Sequence, residues 1–211
     1  MKIDLKDYQT YITRLKEKII GQKLYSPILL NNETMIFPFE DLRGKYLVIS
    51  LNNNHPLIYV VQNDIFFSSL ETNKFLKFKK AIGKTIIKDI KIKDDDFIVE
   101  LCLRNIDTNN DINLVAELIS KKPDLLIEYN GFVSESFLGK HKNNEAYIYP
   151  QKSIIFQFKD KLTNEILLNH FKNEIDIRKK QKYATFAKFL TAKLKLIRKK
   201  INGINNDVIN A

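Results

Sequence analysis

The stretch "IKIKDDDFIVELCL", Ile90–Leu103, decides how the chain is read. Three consecutive aspartates, Asp94, Asp95 and Asp96, stand at the head of an apolar run in a sequence that is otherwise basic. In extended backbone Asp94 and Asp96 point to one side and Asp95 to the other, so only two carboxylates converge. Two neighbouring carboxylates can hold Mg²⁺, but usually with substrate phosphates as further ligands. Asp107, Asp111 and Glu117 are the candidate acidic partners for such a site. An acidic turn that solvates the start of a strand is the commoner use of such a run, and it makes "FIVELCL" a strand.

Short strand-like runs bounded by turn residues recur on both sides. Upstream lie "KLYSPILL", "ETMIFPF", "KYLVISL" and "PLIYVVQ"; around the aspartates lie "TIIKDIKI", "FIVELCL", "NLVAELI" and "DLLIEYN". Asn130-Gly131 predicts a hairpin turn into "FVSESF". Two helices punctuate the strands. In "LKDYQTYITRLKEKIIG" the residues Tyr8, Tyr11, Ile12, Leu15 and Ile19 share one face, and in "LETNKFLKFKKAIG" Phe75, Phe78 and Ile82 do; each ends in a glycine, Gly21 or Gly83. This helix–strands–helix–strands order predicts an α+β domain built on an antiparallel, sandwich-like sheet with flanking helices.

From Thr163 the composition changes. Residues 163–211 contain no proline, and Tyr183, Ala187, Leu190, Leu194, Ile197, Ile201 and Ile204 keep the alternating 4–3 spacing of a heptad seam. Arg178, Lys179, Lys180, Lys182, Lys188, Lys193, Lys195, Arg198, Lys199 and Lys200 flank that seam. Burying Leu190, Leu194, Ile197 and Ile201 would contribute roughly 6–12 kcal/mol, and a basic helix left alone in water is marginal. The seam therefore needs its own domain, a second copy, another protein or RNA. The expected division is 1–138 as the globular domain, 139–162 as a linker carrying one extra apolar run, "SIIFQF", and 163–211 as a long basic helix, the partial arm of a coiled coil.

At 211 residues the chain can bury one ordinary core. Its formal net charge of +10 favours an anionic partner such as nucleic acid, although the excess of Lys, Ile and Asn also fits an AT-rich coding bias. Cys102 has no partner for an intrachain disulfide and reads as a buried thiol. His55, His141 and His170 lie in separate segments, none in a metal-ligand pair, and no phosphate loop or nucleophile elbow is present. No catalytic residue, cofactor or metal is expected. The chain reads as cytoplasmic, with no membrane-spanning stretch and no secretory signal.

The order of these motifs resembles the N-terminal domain of the NFACT family, also called the fibronectin-binding protein A family. "YITRLKEKIIGQKL" is similar to the family's opening helix and Gly-Gly-Arg-Ile turn, with Gln22 and Lys23 in place of its second glycine and arginine. "GKYLVISLNNNHPLIYV" resembles the strand pair with a Leu-Leu-Ser-Ala-His-Pro-Ser run, keeping Ser50, His55 and Pro56. "FLKFKKAIGKTIIKDIKI" puts Lys79 and Lys80 at the family's Arg-Lys position. "LVAELISKKPDLLIEYNG" resembles the Val-Glu-Leu-Met-Gly-Arg-His-Ser-Asn-Ile-Ile-Leu stretch, with Glu117 matching, Lys121 for the arginine and Asp124 for the asparagine.

The resemblance covers about residues 5–137 and implies a fold like the N-terminal domain of formamidopyrimidine-type DNA glycosylases, without their activity: this chain begins Met1-Lys2-Ile3, not with their catalytic proline. It implies a non-enzymatic RNA-binding module that contacts tRNA and the large ribosomal subunit in the rescue of stalled ribosomes. The family's Asp-Arg pair, associated with tRNA recruitment, falls on Asp96 and Phe97, so the cation of that pair is missing. Lys79, Lys80, Lys121, Lys122, Lys179, Lys180 and Lys182 are the candidate phosphate contacts. The chain resembles a shortened member whose returning coiled-coil arm is absent. A coiled-coil interaction module, pairing with a partner or itself through 183–204, and a fibronectin-binding adhesin remain as alternatives.

Overall fold

The computed structural model describes residues 4–64, 67–93, 96–119, 121–150 and 162–209, with the side chain of Ile201 the last one described. Thirteen elements follow in order: α1 (Leu5–Ile19), β1 (Lys23–Leu24), β2 (Ile28–Asn31), β3 (Thr34–Pro38), β4 (Lys45–Ser50), β5 (Leu57–Gln62), α2 (Asn73–Ile82), β6 (Thr85–Ile92), β7 (Ile98–Asn105), β8 (Asp111–Glu117), β9 (Asp124–Tyr129), β10 (Phe132–Ser136) and α3 (Asn164–Ile209). The strands form a six-stranded sheet, β1-β6-β7-β8-β9-β10, and a four-stranded sheet, β2-β3-β4-β5. Every pairing is antiparallel. One hydrophobic core joins residues of both sheets with those of all three helices. This is the α+β, antiparallel sandwich-like architecture with flanking helices and a long C-terminal helix.

Local chemistry sets the element ends. Asp4 caps α1 by accepting from the Lys6 amide at 2.7 Å, and Thr72 caps α2 by accepting from Phe75 at 3.1 Å. At Gly83 (φ +63°) an added Cβ would meet the Asn105 amide nitrogen at 2.8 Å, so the turn after α2 needs glycine on two counts. Asn130 and Gly131 both take positive φ, +51° and +85°, and close the β9–β10 hairpin in the primed-turn geometry that suits strand twist. On α1, Tyr8, Ile12, Leu15 and Ile19 are buried, and the Tyr8 hydroxyl donates to the Ile58 carbonyl while accepting from the Ile58 amide. That double bond fixes α1 to β5, and burial pushes the Tyr8 phenol well above its ordinary range.

Two expectations change. "KLYSPILL" is two strands in different sheets: β1 pairs with β6 and β2 with β3, because Pro27 lacks the amide a continuous ladder would need. Cys102 is half-buried, since β7 alternates its faces and turns the thiol outward, where it donates to Asn113 at 3.3 Å. "SIIFQF" lies outside the described residues. Before it, residues 139–149 fold back on the domain through a Phe132–Ala146 bridge and a hydrogen bond of 2.8 Å from the Val133 amide to the Glu145 carbonyl.

Candidate nucleic-acid interface

Helix α3 starts from Thr163, whose hydroxyl accepts from the Ile166 amide at 3.3 Å and whose carbonyl accepts from Leu167. Leu167 and Phe171 follow at i, i+4 and enter the core. The same stripe continues with polar residues, His170, Glu174 and Arg178, and all three are buried. A buried carboxylate costs several kcal/mol unless its oxygens are bonded. Glu174 meets this with donors from three strands: Asn31 Nδ2 at 2.8 Å, Thr34 Oγ1 at 2.6 Å and Ser50 Oγ at 2.9 Å. Its charge, added to burial, raises the Tyr59 phenol well above the ordinary range.

The neighbouring side chains complete the dock. His170 bridges the Tyr59 hydroxyl (3.2 Å) and the His55 carbonyl (2.9 Å). Arg178 donates to the Leu30 carbonyl at 3.0 Å, the Ser68 carbonyl at 2.6 Å and the Ser68 hydroxyl at 3.0 Å. Desolvation lowers the Arg178 pKa from its ordinary value. The first four turns of α3 are thus keyed to the four-stranded sheet by polar side chains set into an apolar stripe.

After Arg178 the burial stops. Apart from the half-buried Gln181, every described residue from Lys179 to Ile201 is exposed, including Tyr183, Phe186, Phe189, Leu190, Leu194, Leu196 and Ile197. Residues 179–199 carry eight Lys and Arg side chains and no acidic one, so eight of the ten net positive charges of the chain sit on this arm. The globular part is close to neutral. Lysine also runs through the rest of the chain, where acidic residues offset it; on this helix segment none does.

The sequence-predicted residues occupy four places. Lys179, Lys180 and Lys182 are exposed at the base of the arm, with Lys179 paired to Asp176 at 3.2 Å. Lys79 and Lys80 lie in the last turn of α2, where cations favour the helix C-terminus. Lys121 and Lys122 are exposed in the β8–β9 turn, with Lys121 at φ +67°. The Lys121 amide donates to the Asn53 carbonyl at 3.0 Å, in the β4–β5 loop whose His55 also holds His170. That loop therefore joins the Lys121 turn to the root of the arm.

Asp96 and Phe97 lie in the β6–β7 turn, closed by a hydrogen bond of 2.9 Å from the Lys93 amide to the Ile98 carbonyl. Asp94 and Asp95 fall outside the described residues. Asp96 Oδ1 accepts from the Phe97 amide at 2.8 Å. The Phe97 ring stacks on Tyr8, centroids 5.8 Å apart and planes 26° apart, and packs against the core. Among the described residues no group of three or more His, Cys, Asp or Glu is placed to hold a metal ion.

Glu117 and Asp124, singled out separately in the sequence, anchor a second polar cluster whose other members the sequence did not point to. Glu117, buried at the end of β8, receives the His141 Nε2 at 3.0–3.1 Å and the Tyr147 hydroxyl at 3.1 Å. Burial and the Glu117 charge push the Tyr147 phenol far above its ordinary value. Buried Asp124 accepts from the Leu125, Leu138 and Lys140 amides and from Ser136 Oγ at 2.6–3.1 Å. Desolvation lowers the Lys140 pKa, Asp124 and Glu117 oppose it, and Lys122 adds to it. Glu117 and Asp124 thus fasten residues 136–147 to the sheet. Their signal in the sequence was the polar segment Lys140-His141-Lys142, whose fold-back no local pattern announces.

No family model and no curated protein matches the chain. Solved structures do share its fold. The N-terminal domain of fibronectin-binding protein PavA from Streptococcus pneumoniae superposes with a TM-score of 0.57 at 15% identity, over 87% of this chain and 79% of that one. The N-terminal part of the fibronectin/fibrinogen-binding protein from Streptococcus suis gives 0.56 at 14% identity, over 69% of this chain. The fibrinogen binding protein from Staphylococcus aureus gives 0.56 at 16% identity, also over 69%. The chain spans 60% and 56% of the length of the latter two. No helix among the described residues is long and apolar enough to cross a membrane. The sandwich with its long C-terminal helix is the fold of the PavA N-terminal domain.

Proposed function

We propose that this chain is a non-enzymatic RNA-binding module of the NFACT N-terminal type, contacting tRNA and the large ribosomal subunit, with the α3 arm as its main contact. The observation that carries this reading is the concentration of eight cationic side chains on an exposed helix whose root is locked to a near-neutral domain. A helix displayed in this way approaches phosphates without desolvating the sandwich. Lys121 and Lys122 add charge on the side of the arm's root, through the shared β4–β5 loop. Affinity supplied by phosphates weakens with salt, by a slope of about 0.7–0.9 in log K per log salt for each phosphate neutralised.

A filter-binding titration of tRNA and of purified large subunits across salt concentrations tests the reading. Retention that falls steeply with salt supports it; absent or salt-insensitive retention removes it. The Asp96–Phe97 position bears on selectivity. Phenylalanine cannot fork onto phosphate or base edges as arginine does, so binding is expected to discriminate poorly between tRNA and other RNA. Phe97→Arg should raise tRNA affinity; a folded variant with no gain would take this turn out of the RNA site.

The names of the fold neighbours favour a second reading, fibronectin or fibrinogen binding. Capture of the full chain on immobilised fibronectin and fibrinogen, at physiological salt and with tRNA as competitor, separates the two.

A further inference from the structure

The arm presents two kinds of surface, and charge alone accounts for only one. Tyr183, Ala187, Leu190, Leu194, Ile197 and Ile201 form a row two residues wide per heptad; the five larger ones are 43–73% exposed. We infer that this row is a docking face for an acidic amphipathic helix of another polypeptide.

Three observations choose that occupant. The row keeps the 4–3 spacing of a coiled-coil seam, and the two columns beside it intersperse Lys179, Lys182 and Lys193 with the exposed Phe186, Phe189 and Leu196, whereas a helix lying on a bilayer presents an unbroken apolar face. The domain does not cover it: among the described residues of α3 the last buried one is Arg178, ahead of the first seam residue. The seam's flanks carry cations and no acid: Lys179 and Lys193, with Phe186 between them, on one side, and Arg198, with Ala184 and Thr191, on the other. In a parallel pair of copies Lys193 would face Arg198, and in an antiparallel pair each flank would face its own kind. Either arrangement sets like charges at the positions that choose coiled-coil partners. A helix with Leu or Ile at its seam and Glu on its flanks satisfies the apolar row and the cations together.

The arrangement leaves room for RNA on the same arm. Lys182, Lys188, Lys195 and Lys199 occupy heptad positions that point away from the seam, so a docked helix does not cover them. The proposal stands without the RNA reading, and the two fail separately.

The test uses the full chain and a synthetic peptide of about four heptads with Leu at the seam and Glu on the flanks, beside a control with Lys on the flanks. Sedimentation and far-ultraviolet circular dichroism should show one peptide per chain and a gain of helix. At low salt the Glu peptide should bind at least about tenfold tighter than the Lys peptide, a gap that narrows as salt rises. L190K combined with L194K should abolish binding and leave the urea unfolding midpoint unchanged, while K182Q, K188Q, K195Q and K199Q together should keep the peptide and weaken tRNA retention. Equal affinity for the two peptides overturns the inference. So does a chain that dimerises alone and becomes monomeric on L190K and L194K, which makes a second copy the occupant. Seam-dependent binding to anionic lipid vesicles or to tRNA, with no peptide bound, overturns it likewise.

Discussion

Residues 164–178 and 179–201 belong to one continuous helix, yet they solve opposite problems. The root enters the sandwich, buries Leu167 and Phe171, and supplies Glu174, His170 and Arg178 to polar groups of the sheet and its loops. The arm buries no described side chain and carries lysine and arginine with no acid to balance them. Hydrophobicity alone does not separate the halves, since both contain Phe and Leu at helical spacing. What separates them is whether a polar side chain on the apolar stripe finds a fixed partner. In the root each one does; in the arm the cations remain available to a ligand. A helix anchored at one end by directional bonds holds the other end at a defined position, which suits a display element.

The sharpest way to break this contrast is to truncate a phenylalanine in each half. Phe171→Ala empties a fully buried site edge-on to Phe67, at a centroid distance of 5.8 Å, and should cost about 3–5 kcal/mol in urea unfolding. Phe189→Ala in the arm should stay within about 0.5 kcal/mol. Comparable losses at both sites would mean that the arm is covered in solution.

The polar half of the dock comes next. Glu174→Ala leaves the donors of Asn31, Thr34 and Ser50 buried without their acceptor, and should cost about 2–4 kcal/mol. Glu174→Gln should cost less, about 1–2 kcal/mol, since its amide oxygen still accepts and the two hydroxyls can turn to accept from its nitrogen. A loss confined to the alanine variant's helicity, with the sandwich intact, would show α3 undocking as a unit.

Strand and helix positions were legible because their apolar periods are plain and glycine or Asn-Gly pairs mark their ends, as at Gly83 and Asn130-Gly131. The root of α3 was not. Leu167 and Phe171 announce a buried stripe, but Glu174 and Arg178 on that stripe read as ordinary solvated charges. Their partners are 110–148 residues away in sequence, in strands whose Asn31, Thr34 and Ser50 look like turn or edge residues. A carboxylate on an apolar stripe, together with small polar residues inside otherwise buried strands, is the pattern that would have found it. The concentration of charge was present in the residues themselves; that its helix stands clear of the core is a tertiary fact that composition does not encode.

Substitution of Lys188, Lys195 and Lys199 by Gln tests the arm where no stability is at stake. Unfolding should shift by less than about 0.5 kcal/mol. RNA retention should weaken, and the salt slope should fall by about 2–3 if each lysine meets a phosphate. A slope unchanged by all three would move the RNA contact to Lys79, Lys80, Lys121 or Lys122.

The smallest effect tests whether the root tolerates a second carboxylate. Glu33 lies beside the Glu174 pocket, and partial burial, with the Glu174 charge adding to it, raises its pKa above the ordinary value. A raised carboxyl pKa means that the folded state holds the proton more tightly than the unfolded chain, so ionisation opposes folding. Glu33→Gln should therefore stabilise the protein at neutral pH, by under about 0.5 kcal/mol because the group is only partly buried and solvent screens it. The gain should vanish as pH falls below the unfolded carboxylate range, where the native glutamate is protonated in both states. Lys188→Glu in the arm, with no buried carboxylate beside it, should show no such pH-dependent difference. A neutral-pH penalty for Glu33→Gln would mean that Glu33 helps to hold α3, and the root would then rest on two carboxylates.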